Sequence, residues 1–178
     1  AGGSAIDSVY TTLDIEDLAT AVKSSSNNLL NVWHVQKTDN QSITGDPAWT
    51  DISDLSQTVT ASSASSKFLI NATVNASMLG SVHDGLVRLM RGSIVIGSTS
   101  SEGSATANNS GFGQVSGQNG QYQANSLSVT YLDTPGVGTH TYHIEGINLD
   151  SGNALVINRR GLNTDFYLVS HMTIQEIA

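Results

Sequence analysis

The chain of 178 residues contains no cysteine. That excludes disulfides, a thiolate nucleophile and cysteine-ligated zinc, so stability outside a cell has to come from packing and assembly. Charge is also scarce. Asp, Glu, Lys and Arg make up 12% of the residues, where about 25% is usual. Seven are basic, they are scattered, and the net charge is −8. A nucleic-acid binder needs a basic stripe to meet phosphates, and there is none. No run approaches the about 18 apolar residues of a membrane span, so no membrane partner is expected. Ser, Thr, Asn and Gly fill the space that charge leaves. These residues suit turns and the solvated face of a sheet, not long exposed helices.

The first residues, Ala1-Gly2-Gly3-Ser4, carry neither a basic segment nor an apolar signal core. They read equally as a cytoplasmically made chain without its initiator Met and as a trimmed one. Residues 1–28 form an arm distinct from the rest. Asp14 is a good helix N-cap, and Glu16 and Asp17 favour the positive end of the helix dipole. Ile15, Leu18 and Val22 fall on one face of this brief helix, which Ser24-Ser25-Ser26-Asn27-Asn28 ends. One apolar stripe on so short a helix does not hold alone in water. With Ile6, Tyr10 and Leu13, it needs a surface to dock on, either its own domain or a neighbour.

From residue 29 the apolar period is two. Trp33 and Val35, Phe68 to Val74, Leu127 to Tyr131, His140 to Ile144 and Phe166 to Ile174 alternate with polar neighbours, as half-buried strands do. Gly85 to Met90 and Ile94 to Ile96 read as a hairpin turning at Arg91-Gly92-Ser93. Ala154 to Ile157 is another strand. Trp49 to Thr60 supplies one more, with Trp49, Ile52 and Val59 as buried anchors. Eight or nine strands with explicit turns at Asp133-Thr134-Pro135-Gly136 and Ser151-Gly152-Asn153 predict an all-β fold over residues 29–178. The class is an antiparallel β-sandwich, jelly-roll-like. Residues 97–123 break the rhythm with Ser, Gly, Asn and Gln. A connection this long is usually functional. Asn108, Asn109, Phe112, Gln114, Gln118, Asn119 and Tyr122 are its candidate recognition residues.

Tests for chemistry fail one by one. Gly111-Phe112-Gly113-Gln114-Val115-Ser116-Gly117 is one residue too long for a dinucleotide loop and precedes no helix. There is no G-x-S-x-G elbow and no H-E-x-x-H helix. His140 and His143 are three apart in a strand and point to opposite faces. His34 and His171 meet only by tertiary contact, and His83 stands alone. Histidines on a polar sheet face are the expected reading, with a ring about an oligomer axis as the alternative. Asp51 and Asp54 flank a turn-like stretch. No calcium-loop spacing and no favoured acid–base pair appears. The chain is therefore expected to be no enzyme, with no cofactor and no metal.

The ordered phrases Leu55-Ser56-Gln57-Thr58-Val59-Thr60, Ala61 to Ile70, Arg88 to Gly97, Tyr131 to Gly136, Val156-Ile157-Asn158-Arg159 and Thr173 to Ala178 resemble a β-sandwich domain recurrent in tailed-phage virion proteins, itself similar to trimeric jelly rolls of the TNF and C1q type. The resemblance covers about residues 30–178 and brings no catalytic residues. It implies a homotrimer on the virion surface, made in the host cytoplasm, with phage capsid or tail proteins as partners. The missing shaft favours a capsid decoration or cement protein, or a short head spike, anchored by residues 1–28. The alternative is a tail-fibre receptor-binding tip that recognises a host surface glycan or envelope protein.

Overall fold

The computed structural model describes residues 29–44, 48–80, 84–98, 110–116, 122–149 and 152–178. The predicted arm, helix and anchoring residues 1–28, and also His83, lie outside them.

Among the described residues eleven strands form two packed sheets. They are β1 (Leu29–Lys37), β2 (Gln41–Thr44), β3 (Thr50–Thr60), β4 (Lys67–Leu79), β5 (Asp84–Arg91), β6 (Ile94–Ile96), β7 (Gly113–Ser116), β8 (Asn125–Asp133), β9 (Thr139–Asn148), β10 (Ala154–Ile157) and β11 (Ser170–Ile177). In the first sheet the long β4 pairs with β8 along one edge and with β11 and then β10 along the other. β1 extends β11, and β2 extends β10. In the second sheet β9 lies between β3 and β5, and the far edge of β5 carries β7 and β6.

With the short β2, β7 and β10 set aside, the pairing is nested. β1 joins β11, β3 joins β9, β4 joins β8, and β5 joins β6. That is a long hairpin folded back across two layers, the winding of a jelly roll. The alternation seen in the sequence puts Phe68, Ile70, Ala72, Val74 and Ala76 of β4 into the core, where Met172 and Ile174 meet Leu89, Tyr142 and Ile144 of the facing sheet.

Buried polar groups tie the layers together. The Lys37 ammonium on β1 is fully buried and donates to Asp39 and to Ser53 Oγ of β3, each at 2.6 Å. Arg91 of β5 donates to both carboxylate oxygens of Asp133 on β8 at 2.7 Å, and the Tyr142 hydroxyl of β9 donates to the same carboxylate at 2.7 Å. Burial, reinforced by that hydrogen bond to Asp133, pushes the Tyr142 phenol well above its ordinary value.

Glu176 of β11 is buried beneath the connection from β3 to β4. Burial alone would raise its carboxyl. Donors from Asn31 at 2.7 Å and from the Ser62 amide and hydroxyl at 2.5 and 2.9 Å outweigh that and hold it down to about 2. An unfolded Glu titrates near about 4.3. The folded value is the lower one, so the carboxylate's stabilisation is complete above about pH 5 and is lost as pH falls toward about 2. Urea midpoints for the wild type should therefore drop through that window. Glu176→Gln should flatten the drop while lowering the neutral-pH midpoint. An unchanged acid limb in Glu176→Gln would refute this assignment.

Four sequence expectations need correction. Residues 97–123 are not all loop: Gly113–Ser116 is β7, paired to β5, and Val115 is fully buried. Phe112 is half-buried against the core instead of free for recognition, and its amide donates to Val87 O at 2.9 Å. Flanking glycines make this approach feasible, since a Cβ on Gly111 would lie 2.3 Å from Val87 O. Trp49 is half-buried outside the core, with its ring under the Arg88 guanidinium at 4.0 Å. The last strand starts at Ser170, and Phe166 and Tyr167 before it are 57% and 63% exposed. Their segment instead folds back on the chain that leaves β10: Tyr167 bridges Arg159, the Gly161 amide donates to the buried Ser77 Oγ of β4 at 2.8 Å, and Arg160 pairs with Asp165 at 2.7 Å.

Candidate functional site

The two outer faces of the sandwich differ in chemistry. On the first sheet the residues alternating with the core line up in rows across β1, β11, β4 and β8. One row reads Val32, Gln175, Leu69, Leu132. The next reads His34, Thr173, Asn71, Thr130. The third reads Gln36, His171, Thr73, Ser128. No Asp, Glu, Lys or Arg stands in these rows.

Their polar groups are bonded to one another across the strands. Thr130 donates to Asn71 Oδ1 at 2.8 Å, His34 Nδ1 lies 2.9 Å from Thr173 Oγ1, and Thr73 and Ser128 hydroxyls are 3.0 Å apart. The rings of His34 and His171 stack with centroids 6.0 Å apart, so the tertiary contact that the sequence left open is made. Val32 and Leu132 remain 52% and 49% exposed at the two sides of the top row. The result is a polar face with cross-strand hydrogen bonds and an apolar margin; its three central rows carry no charge, and Lys67 stands in the next row opposite Ile177.

The outer face of the second sheet carries charge. Arg88 Nε donates to Glu145 Oε2 at 2.6 Å, and Arg88 Nη2 lies 2.5 Å from the same oxygen. His143 and Asp51 stand beside them. His140 and His143 do point to opposite faces: His140 turns inward, edge-on to Phe68, with Nε2 3.2 Å from Gly136 O.

An open depression of about 390 Å³ is lined by Arg91, Gly92, Ser93, Ile94, Thr139, His140 and Thr141. Its two titratable walls are already engaged, Arg91 by Asp133 and His140 by Gly136 O. Nothing there pairs a nucleophile with a base.

Of the recognition candidates, Gln114 and Tyr122 are exposed and Phe112 is half-buried. Asn108, Asn109, Gln118 and Asn119 lie outside the described residues. Two features escaped sequence reading. The polar face needs the strand order to bring four separate polar alternations side by side. The grouping of Asp51 with His143 and Glu145 needs the register of β3 on β9. The only local hint was that His143 and Glu145, two apart in a strand, share a face.

Fold and surface together define a jelly-roll-like β-sandwich with one outer face whose central rows carry no charge. No protein-family model matches the chain, and no curated protein sequence is significantly similar to it.

Proposed function

We propose that this chain is a non-enzymatic structural component of a bacteriophage virion, a homotrimer that decorates or cements the capsid, or forms a short head spike. The observation that carries the reading is the face formed by β1, β11, β4 and β8, whose three central rows hold no charged residue and whose edge holds Lys67 but no acid. Each copy bears a charge of −8, so copies repel unless they meet on surfaces free of charge. Those rows offer such a surface, with Val32 and Leu132 supplying apolar area at its margin. Burying it between copies adds contact area that a core poor in aromatics lacks. The buried ionisable groups Lys37, Asp133 and Glu176 are consumed in ties between elements, which favours a structural role over a catalytic one. The threefold count and the phage setting rest on the resemblance of the ordered sequence phrases.

Val32→Glu and Thr130→Glu test this reading, because both side chains are exposed and their replacement, with the loss of the Thr130–Asn71 bond in the second, should cost no more than about 1 kcal/mol of folding stability. Each variant should run as a folded monomer in light scattering under conditions where the wild type is a trimer. Retained assembly in both variants would overturn the reading.

A tail-fibre tip is the second reading. It is favoured by exposed Phe166 and Tyr167, with the Arg160 guanidinium 4.7 Å from the Phe166 ring centroid, a platform suited to stacking on sugars. Purified protein should then compete with phage for host cells, and Phe166→Ala with Tyr167→Ala should abolish the competition. Absence of competition at saturating protein would eliminate it.

A further inference from the structure

The strand pair β3–β9 is interrupted where Asp51 and Ser56 leave register. Asp51 pairs with Glu145 and Ser56 with His143, so four residues of β3 bulge opposite Ile144 alone. Ile52 and Leu55 in the bulge are fully buried, and Asp54 takes a left-handed conformation at φ 65 to let both point inward. Ser53 is held by Lys37 and Gln41. Asp51 is thereby fixed beside the outer side chains of β9 at a point where the ladder bonds are missing.

There the ligand atoms of three residues converge. His143 Nε2 lies 3.5 Å from Asp51 Oδ1 and 3.6 Å from Glu145 Oε1, and all three ligand atoms are within 4.8 Å of one another. These separations exceed a good hydrogen bond. They match the edge of a small coordination polyhedron, since bonds of about 2.0–2.1 Å at tetrahedral angles set ligand atoms about 3.4 Å apart. The second oxygen of Glu145 is occupied by Arg88, whose guanidinium rests on Trp49 at 4.0 Å. Such an outer partner orients a ligating carboxylate and leaves Oε1 for the ion.

We propose that Asp51, His143 and Glu145 bind one divalent transition-metal ion of the zinc class. One imidazole and two carboxylates suit such an ion. Calcium prefers six to eight oxygens and is a poor match. Asp51 has a side chain 74% exposed, so a fourth position stays open to water or to a group from another molecule. Arg88 leaves the three charged side chains at a net −1, which sets the affinity below that of a site with two unpaired carboxylates. The bound ion would clamp β3 to β9 across the bulge. This inference is independent of the assembly face on the opposite sheet.

The test is calorimetric titration of the metal-free full chain with Zn²⁺, alongside Asp51→Asn, His143→Gln and His34→Gln. One ion per chain should bind the wild type and His34→Gln alike. Affinity should fall about tenfold or more in the other two variants. Asp51→Asn alters an exposed side chain and so separates ligand loss from misfolding. Hydrogen exchange of amides 52–56 should slow on adding Zn²⁺ in the wild type and stay unchanged in His143→Gln. No zinc uptake by the wild type, uptake indifferent to both ligand variants, uptake lost in His34→Gln, or calcium bound as tightly as zinc would each overturn the proposal.

Discussion

Replacing Asn158 with alanine should destabilise the domain by about 4 kcal/mol, a large part of the about 5–15 kcal/mol that holds a domain folded. Asn158 is fully buried with φ 64, in the left-handed region. Its side-chain amide donates to Lys37 O at 2.8 Å and Asp39 O at 2.9 Å, and its Oδ1 accepts from Ser170 Oγ at 2.6 Å. Its backbone bonds to Asn75 and Leu168. One residue therefore joins the end of β1, the middle of β4, the start of β11 and the turn after β10.

Alanine loses the side-chain bonds, leaves the buried Lys37 carbonyl without that donor, and tolerates the left-handed conformation less well than asparagine, which is enriched there. Glycine removes the conformational part, so Asn158→Gly should recover about 1 kcal/mol of the loss. Asn158→Asp fills the same space but sets a carboxylate against two carbonyls, and should be nearly as damaging as alanine. Urea denaturation reads all three, with a lowered midpoint at unchanged slope. Equal midpoints for the alanine and glycine variants would show that the backbone conformation carries no strain.

The second large effect is at Asp133. Truncation to alanine should lower stability by about 3 kcal/mol, because it strands the Arg91 guanidinium and the buried Tyr142 hydroxyl together. The Arg91 side chain keeps 23% of its surface in solvent, which limits the loss to the lower end of the range for broken buried pairs. Tyr142→Phe removes a single hydrogen bond and leaves Asp133 paired with Arg91, so about 1 kcal/mol is expected. The contrast between the two variants distinguishes an interlayer ion pair from a simple hydrogen bond. Similar losses in both would mean that Arg91 finds water as readily as it finds Asp133.

Legibility in the sequence followed the length and purity of the alternation. β4 and β8 of the first sheet and β9 of the second alternate core-facing and outward residues at every second position, the pattern of half-buried strands. Glycine and serine punctuation located the β5–β6 hairpin, but its turn is only Gly92 and Ser93, since Arg91 ends β5 opposite Ile94. β2 and β7 went unread because four residues with a single buried apolar anchor, Ile43 or Val115, carry no period. Their pairing comes from β10 and β5, far away in the chain. Phe166 to Val169 kept the alternation of a strand but only one bridge of its pairing, Tyr167 to Arg159, because the chain folds back on itself after Asn158 and Gly161.

The same limit applied to the surface features. Thr73, Thr130 and Thr173 each looked like the solvated half of a strand. Only the register across four strands shows that those halves share one face whose central rows carry no charge. The pairing of a residue on β3 with one on β9 is likewise a tertiary fact, and without it Asp51 was only a turn residue.

The most direct test of the account is the mass of the protein in solution, measured by sedimentation velocity at micromolar concentration. The chain mass is 18.6 kDa. A single species of three times that mass, shifting to the monomer on Thr130→Glu, is the predicted result. A wild-type monomer of 18.6 kDa across the concentration range would contradict it.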